Sequence, residues 1–202
     1  MPYPDRFYPV VDSVAWVARL AALGVGTIQL RAKDLTHDQA VTLMREALGE
    51  IAGTSAKLVV NDYWRAAIEV SAQHLHLGQE DLAEADVAAI RRAGLTLGLS
   101  THDDAELETA LKHKPDYVAL GPIYPTTLKA MRFAPQGLEK ITAWKKRVGD
   151  IPLVAIGGIT LERAPGVFAA GADSIAVVSD ITQNSHPDAR VRAWLGHATQ
   201  AA

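Results

Sequence analysis

The chain has 202 residues, a formal net charge of −3 and no cysteine. This length suits one sizeable domain, the charge offers no basic field for nucleic acid or an anionic membrane, and the missing thiols exclude disulfides, thiolate nucleophiles and Cys-ligated zinc. No apolar run approaches the roughly 18 residues of a membrane span, and the N-terminal MPYPDRFYPVV lacks a signal-peptide pattern, so a cytoplasmic soluble protein is expected.

Phe7 to Val11 reads as a first strand. Ser13 is placed to cap a helix to Leu23, with Val14, Val17, Leu20 and Ala21 at helical spacing and Gly24 beyond its end. Thr27 to Arg31 is a second strand. Thr36 opens a helix whose Ala40, Val41, Met44, Ala47, Leu48 and Ile51 form one apolar face. Lys57 to Val60 and His74 to Leu77 are the third and fourth strands, with a helical segment from Tyr63 to Val70 between them. A single helix is expected from Glu84 to Ala93, then a strand from Thr96 to Leu99 and a helix from Asp103 or Asp104 to Leu111. Tyr117 to Leu120 is the sixth strand. The longest connection, IYPTTLKAMRFAPQG from Ile123 to Gly137, has no clean period and reads as a functional loop. A helix from Leu138 to Val148, a strand from Leu153 to Ile156, a helix from Leu161 to Ala170, a strand from Ser174 to Val178 and a last helix from Asp188 to Thr199 complete the chain.

Strands rich in Val, Ile and Leu, without strict alternation, suit a parallel sheet buried on both faces. Eight strands alternating with eight helices predict a single-domain (β/α)8 barrel over residues 1–202. A doubly wound open sheet is the competitor. In a barrel, the residues just after each strand share one face, where such folds keep their chemistry.

Two successive strands end in acid: Leu58-Val59-Val60 stops at Asn61-Asp62, and His74 to Leu77 stops at Gly78-Gln79-Glu80-Asp81. Taken alone, Asp62 reads as the N-cap of the helix from Tyr63 and Asp81 as the cap of a turn before Glu84. Together, at matching ends of adjacent strands, Asp62 and Asp81 can hold a hard cation such as Mg²⁺. Arg31 and Lys33, with Lys129 on the long loop, supply cations for a diphosphate, although Arg31 and Lys33 alone would read as a solvated pair. Gly157-Gly158 and Ser179 follow the seventh and eighth strands, a common place for a second phosphate; the glycine pair alone would mark only a tight turn. His74 and His76 point the same way in one strand but have no third zinc ligand at an obvious spacing. Trp16, Trp64, Trp144 and Trp194 read as packing. His102 is placed either to touch a ligand or to satisfy a loop carbonyl. Gln79 and Glu80 are assigned no ligand and are expected to shape the turn that aims Asp81.

QLRAK (Gln29 to Lys33), VND (Val60 to Asp62), HLGQEDL (His76 to Leu82), GLSTH (Gly98 to His102), GPIYPTTLK (Gly121 to Lys129), AIGGI (Ala155 to Ile159) and AVVSDI (Ala176 to Ile181) occur in this order. In these motifs, which span nearly the whole chain, the sequence resembles the thiamine-phosphate synthase (thiamine phosphate pyrophosphorylase) family. The resemblance implies a (β/α)8 barrel that joins a pyrimidine diphosphate to a thiazole phosphate with loss of pyrophosphate. It implies two phosphorylated small-molecule substrates, no nucleic acid or membrane partner, and leaves a homo-oligomer open. By resemblance, Gln29, Leu30, Arg31, Ala32, Lys33, Asn61, Ser100 and Lys129 bind the pyrimidine diphosphate, with Arg31, Lys33, Ser100 and Lys129 acting in catalysis. Thr126, Thr127, Leu128, Gly158, Val178 and Ser179 bind the thiazole phosphate, and Asp62 and Asp81 bind Mg²⁺.

The sequence departs from the family pattern twice. The family loop usually reads Pro-Thr-x-Thr-Lys, and Leu128 stands where the second threonine is expected; leucine has no hydroxyl to donate. Tyr63 stands where arginine is common. Two other readings remain at this stage. A thiazole tautomerase on the same barrel would use His102, but has no task for Gln29, Arg31, Lys33, Asp62 and Asp81 together. A non-catalytic ligand-binding barrel would need no complete leaving-group site.

Overall fold

The apolar runs become strands buried on both faces, and each helix returns the chain to the same starting edge. The computed structural model describes residues 3–126 and 133–200. Within them, eight parallel strands close into a barrel in chain order. The strands are β1 (Phe7–Val11), β2 (Thr27–Leu30), β3 (Lys57–Asn61), β4 (His74–Leu77), β5 (Thr96–Thr101), β6 (Tyr117–Leu120), β7 (Leu153–Ile156) and β8 (Ser174–Val177). The helices are α1 (Val14–Ala22), α2 (His37–Ile51), α3 (Trp64–Glu69), α4 (Gln79–Glu84), α5 (Val87–Arg92), α6 (Asp104–Lys112), α7 (Gly137–Val148), α8 (Ala164–Ala169), α9 (Ser179–Thr182) and α10 (Pro187–Gln200). β8 returns to β1 through Phe7 opposite Ile175 and Pro9 opposite Val177, so the sheet has no free edge. No helix among the described residues is long and apolar enough to cross a membrane.

Alternation along each strand sorts side chains into two populations. Tyr8, Val10, Val59, Tyr117, Ala119, Val154 and Ala176 meet inside the barrel. Their neighbours of opposite parity, among them Phe7, Val11, Ile28, Leu30, Leu58, Val118 and Leu120, pack outward with the helix residues Val17, Leu20, Trp144 and Trp194. On the other side, Val60, Leu75, Leu77, Leu97 and Leu99 pack with Met44, Leu82 and Ile90. The indole of Trp144 donates to Thr101 Oγ1 at 3.1 Å.

Several boundaries differ from expectation. The helix expected from Glu84 to Ala93 is two helices, α4 and α5. Asp86 accepts from Ala89 N at 2.8 Å and so caps a new helix rather than continuing the old one. α4 therefore starts early and carries Glu80 and Asp81 in its first turn, where the helix dipole favours carboxylates. The expected cap at Thr36 forms as a full capping box with Gln39. β5 runs on to Thr101, which places Ser100 within the strand, and α9 is a single turn the sequence pattern did not mark.

Register sets the interior contacts. Asn61 lies opposite His76, His76 opposite Gly98, and Gly98 opposite Tyr117. A Cβ at position 98 would lie 1.9 Å from Tyr117 Cζ, so the fully buried tyrosine ring occupies the space a side chain there would need. Gly98→Ala is expected to lower the unfolding free energy by about 3 kcal/mol, the upper range for overpacking a core. Urea denaturation should show a lower midpoint with an unchanged m-value; an unmoved midpoint would mean that the ring relocates freely.

Candidate functional site

The barrel opens at the carboxyl ends of its strands into a cavity of about 590 Å³. Gln29, Arg31, Asn61, Ser100, Thr126, Gly158, Val178 and Ser179 all line it. Leu30 does not, because its parity turns it outward under the helices. Ala32, Lys33, Asp62 and Asp81 are also not among the residues lining this cavity. Thr127, Leu128 and Lys129 lie outside the described residues.

Lys33 and Asp62 form an ion pair that joins the ends of β2 and β3. Asp62 adopts φ +68°, a left-handed conformation that Asp tolerates better than most residues. It does not cap α3: Tyr63 is the N-cap residue, and no side chain caps that helix. Nor does Asp81 cap a turn, since Gly78 precedes α4 as its N-cap. The Asp81 carboxyl is raised above its ordinary range, first by burial and then by the charge and hydrogen bond of Asp62. Two carboxyl groups thus converge, an arrangement a divalent cation would relieve. Among the described residues no group of three or more His, Asp or Glu could enclose a metal. A pair of acids with positions left for water and phosphate is what Mg²⁺ commonly uses, so these residues fit that ion. Tyr63, where arginine is common in the resembling family, accepts from Leu35 N at 3.0 Å through its hydroxyl.

A hydrogen-bonded row of side chains crosses the cavity floor. Gln29 Nε2 donates to Tyr8 Oη at 2.7 Å, Tyr8 Oη meets Tyr117 Oη at 2.8 Å, and Tyr117 Oη meets His76 Nδ1 at 2.8 Å. His76 Nε2 then meets Ser100 Oγ at 2.8 Å. Burial pushes the His76 imidazole down to about 4, so it is neutral at ordinary pH. Beside this row, Asn61 is only 4 % exposed, and its Nδ2 has no acceptor among the described residues. A buried donor of this kind costs about 1–3 kcal/mol unless a ligand satisfies it. Gln79 Nε2 donates to Ser100 O at 2.6 Å and ties α4 to β5. His74 stands apart from the row, bonded to Thr96 Oγ1 at 2.7 Å and stacked on Tyr3 at 4.5 Å.

The opposite wall is backbone-rich. Gly157 and Gly158 have φ +102° and +62°. A Cβ at Gly158 would lie 2.5 Å from Pro125 O, so only glycine allows this approach of two loops. Ser179 opens α9, and Asp180 beside it is held by Arg190, whose Nε and Nη2 donate at 2.8 Å. Trp194 Nε1 donates to the same carboxylate at 2.8 Å. Arg190 also forks onto Glu162 at 2.7 and 2.8 Å, and its hydrogen bonds hold the Glu162 carboxyl down at about 2. The acid next to Ser179 is thus fully engaged and does not present a bare charge to an incoming anion.

Sequence reasoning missed several lining residues. Trp16 packs against the core as expected and also lines the cavity, as do Asp12 and Tyr8. The only available signal was strand parity for Tyr8 and position just after β1 for Asp12. His102 also lines the cavity, with Nδ1 2.7 Å from Glu106 Oε2 and its ring stacked on Phe133 at 4.7 Å.

A model of the family described as thiamine monophosphate synthase matches residues 7–181. A thiamine-phosphate synthase of Rhizobium etli is 59% identical over 191 residues, covering 95% of this chain and 94% of that protein. One from Cronobacter sakazakii is 56% identical over 184 residues, covering 90% of this chain and 88% of that protein. Among solved structures, a thiamine phosphate pyrophosphorylase from Pyrococcus furiosus superposes with TM-score 0.84 at 25% identity over 96% of each chain. A 3-hexulose-6-phosphate synthase, at TM-score 0.71 and 15% identity over 96% of this chain and 99% of that one, shares the fold alone.

His76 makes stability depend on pH. An unfolded histidine titrates near 6.5 and this buried one near 4, so between those values the unfolded chain binds a proton that the folded chain refuses. The contribution is complete above pH 6.5 and is lost as pH falls toward 4, by on the order of 3 kcal/mol. Urea unfolding of wild type and His76→Gln at pH 7 and pH 4 checks this: the variant should lose markedly less stability across the interval.

Proposed function

We propose a function from one premise: the chain belongs to the thiamine monophosphate synthase family. It is a transferase that joins 4-amino-2-methyl-5-(diphosphooxymethyl)pyrimidine to 4-methyl-5-(2-phosphooxyethyl)thiazole, forming thiamine phosphate and releasing pyrophosphate. The observation that carries this reading is one cavity with two unlike walls. Gln29, Arg31, Asn61 and Ser100 stand on one side, and Gly158, Val178 and Ser179 on the other.

In this reading, Gln29, Asn61 and Ser100 hold the pyrimidine, and the unpartnered Asn61 Nδ2 gains its acceptor there. Arg31 and Lys33 neutralise the diphosphate, joined by Lys129 from the loop, while Leu30 and Ala32 contribute as backbone neighbours. Gly158, Val178 and Ser179, together with Thr126, Thr127 and Leu128, receive the thiazole phosphate. Leu128 offers no hydroxyl, so its part falls to the backbone N–H. Asp62 and Asp81 would hold Mg²⁺, which supplies charge neutralisation for the departing pyrophosphate.

The bond that breaks joins the pyrimidine's methylene carbon to the diphosphate oxygen, and the bond that forms joins that carbon to the thiazole nitrogen. The amino group of the ring stabilises positive charge developing on that carbon. The protein's part is to place the thiazole nitrogen in line, to balance the leaving group's charge and to keep water from the carbon. No side-chain nucleophile is required. Substrates of this kind suit a cytoplasmic site of action.

A tautomerase would employ His102 but leave Arg31, Lys33, Asp62 and Asp81 without a task. Incubating the protein with both substrates and Mg²⁺ tests the reading directly, since only a synthase releases pyrophosphate. Asp62→Ala is expected to abolish this Mg²⁺-dependent release while the far-ultraviolet circular dichroism is retained. Near-normal turnover by that variant would overturn the metal assignment.

A further inference from the structure

The buried row from Gln29 to Ser100 has a direction that proton counting determines. The Gln29 amide nitrogen can only donate, and it points at Tyr8 Oη at 2.7 Å. Tyr8 therefore accepts, and its single proton goes to its other neighbour, Tyr117 Oη, at 2.8 Å. Tyr117, having accepted, donates to His76 Nδ1 at 2.8 Å. That nitrogen must be bare, so the neutral ring carries its proton on Nε2 and donates to Ser100 Oγ at 2.8 Å. The two ends of the row both line the cavity. At one end, Gln29 Oε1 is left as an acceptor. At the other, the Ser100 hydroxyl accepts from His76 and keeps its own proton to donate.

We propose that Tyr8, Tyr117 and His76 are positioning residues that determine specificity, orienting Gln29 to present its amide oxygen and Ser100 its hydroxyl proton so that the cavity favours an amino-substituted pyrimidine over its oxo analogue. The inference rests on the pyrimidine site proposed above. A 4-aminopyrimidine presents an exocyclic N–H donor beside a ring-nitrogen acceptor, which complements this pair. A 4-oxopyrimidine presents the reverse, a carbonyl acceptor beside a ring N–H donor, and meets acceptor with acceptor and donor with donor. None of the three positioning side chains need touch the ring. They act because the row holds the Gln29 amide nitrogen on Tyr8, leaving its oxygen for a ligand, and turns His76 Nε2–H onto Ser100, leaving the hydroxyl proton for a ligand.

The tyrosine–histidine portion is built into the barrel rather than placed on its surface. Tyr8 and Tyr117 are fully buried and His76 is nearly so. Their rings also pack on one another, with His76 stacked on Tyr117 at 5.5 Å and Tyr8 edge-on to Tyr117 at 6.0 Å. Tyr117 has its place because position 98 is glycine.

Two measurements test the inference. Nitrogen-15 NMR of the free wild-type protein should show His76 protonated on Nε2 and bare at Nδ1; a proton on Nδ1 instead would mean that the row runs the other way and would overturn the proposal. Steady-state kinetics should compare the aminopyrimidine diphosphate with its 4-oxo analogue in wild type and Tyr117→Phe, with Tyr8→Phe as a second break in the row. Loss of one hydrogen bond predicts about a tenfold rise in KM for the amino substrate and a similar narrowing of the amino-to-oxo preference, with KM for the thiazole phosphate unchanged. Equal losses on both pyrimidines, or an unchanged preference in both variants, would reduce the row to structural support and overturn the proposal. A wild type inactive on the amino substrate would instead defeat the synthase reading, whereas the tautomer measurement stands independently of any substrate.

Discussion

Closure of the sheet is the constraint on which everything else depends. Once β8 hydrogen-bonds back to β1, every strand must keep its parity, and each inward position is shared among side chains from several strands. An inward polar group has no solvent and must find a partner inside. This is why Gln29, Tyr8, Tyr117, His76 and Ser100 form one row rather than five separate contacts. Asn61 keeps the same parity and is the exception, with an amide hydrogen left for something that enters the cavity.

The two sides of the mouth handle charge in opposite ways. On the β2–β4 side, charge is left near balance: Lys33 pairs with Asp62, and burial together with the Asp62 charge raises Asp81. Such a cluster answers readily to an added cation or an added phosphate, because either changes who is paired with whom. On the β8 side, Arg190 and Trp194 saturate Asp180. Among the described residues lining the cavity there, Ser179, Thr182 and Gln183 offer uncharged polar side chains beside the backbone of Gly158 and Val178.

Much of the fold was legible because the apolar runs and caps were strong and local. All eight expected strands appear, and the Thr36 cap forms as its Thr-x-x-Gln spacing suggests. The break between α4 and α5 was missed because Asp86 competes for the backbone at a point where apolar periodicity alone would carry one helix through. The site was legible only in part. Residues that follow strands could be enumerated from the chain, and Gln29, Arg31, Asn61 and Ser100 do share a cavity. Tyr8 and Tyr117 escaped notice because strands apolar on both faces do not reveal which face is inward. The ion pair of Lys33 with Asp62 depends on the register between β2 and β3, and no local pattern encodes that.

The close fit between Gly98 and the ring of Tyr117 also restricts how this barrel can change over generations. A side chain at 98 meets the ring and costs stability while the tyrosine is in place, whereas a smaller residue at 117 leaves a cavity but makes no clash with an unchanged 98. Substitution at the pair therefore has a favoured order: the tyrosine goes first, and the phenol with it. Once a larger residue occupies 98, the way back is closed until that residue reverts. The pair behaves as an ordered latch on lineage, readable in any sequence that aligns here without solving its structure.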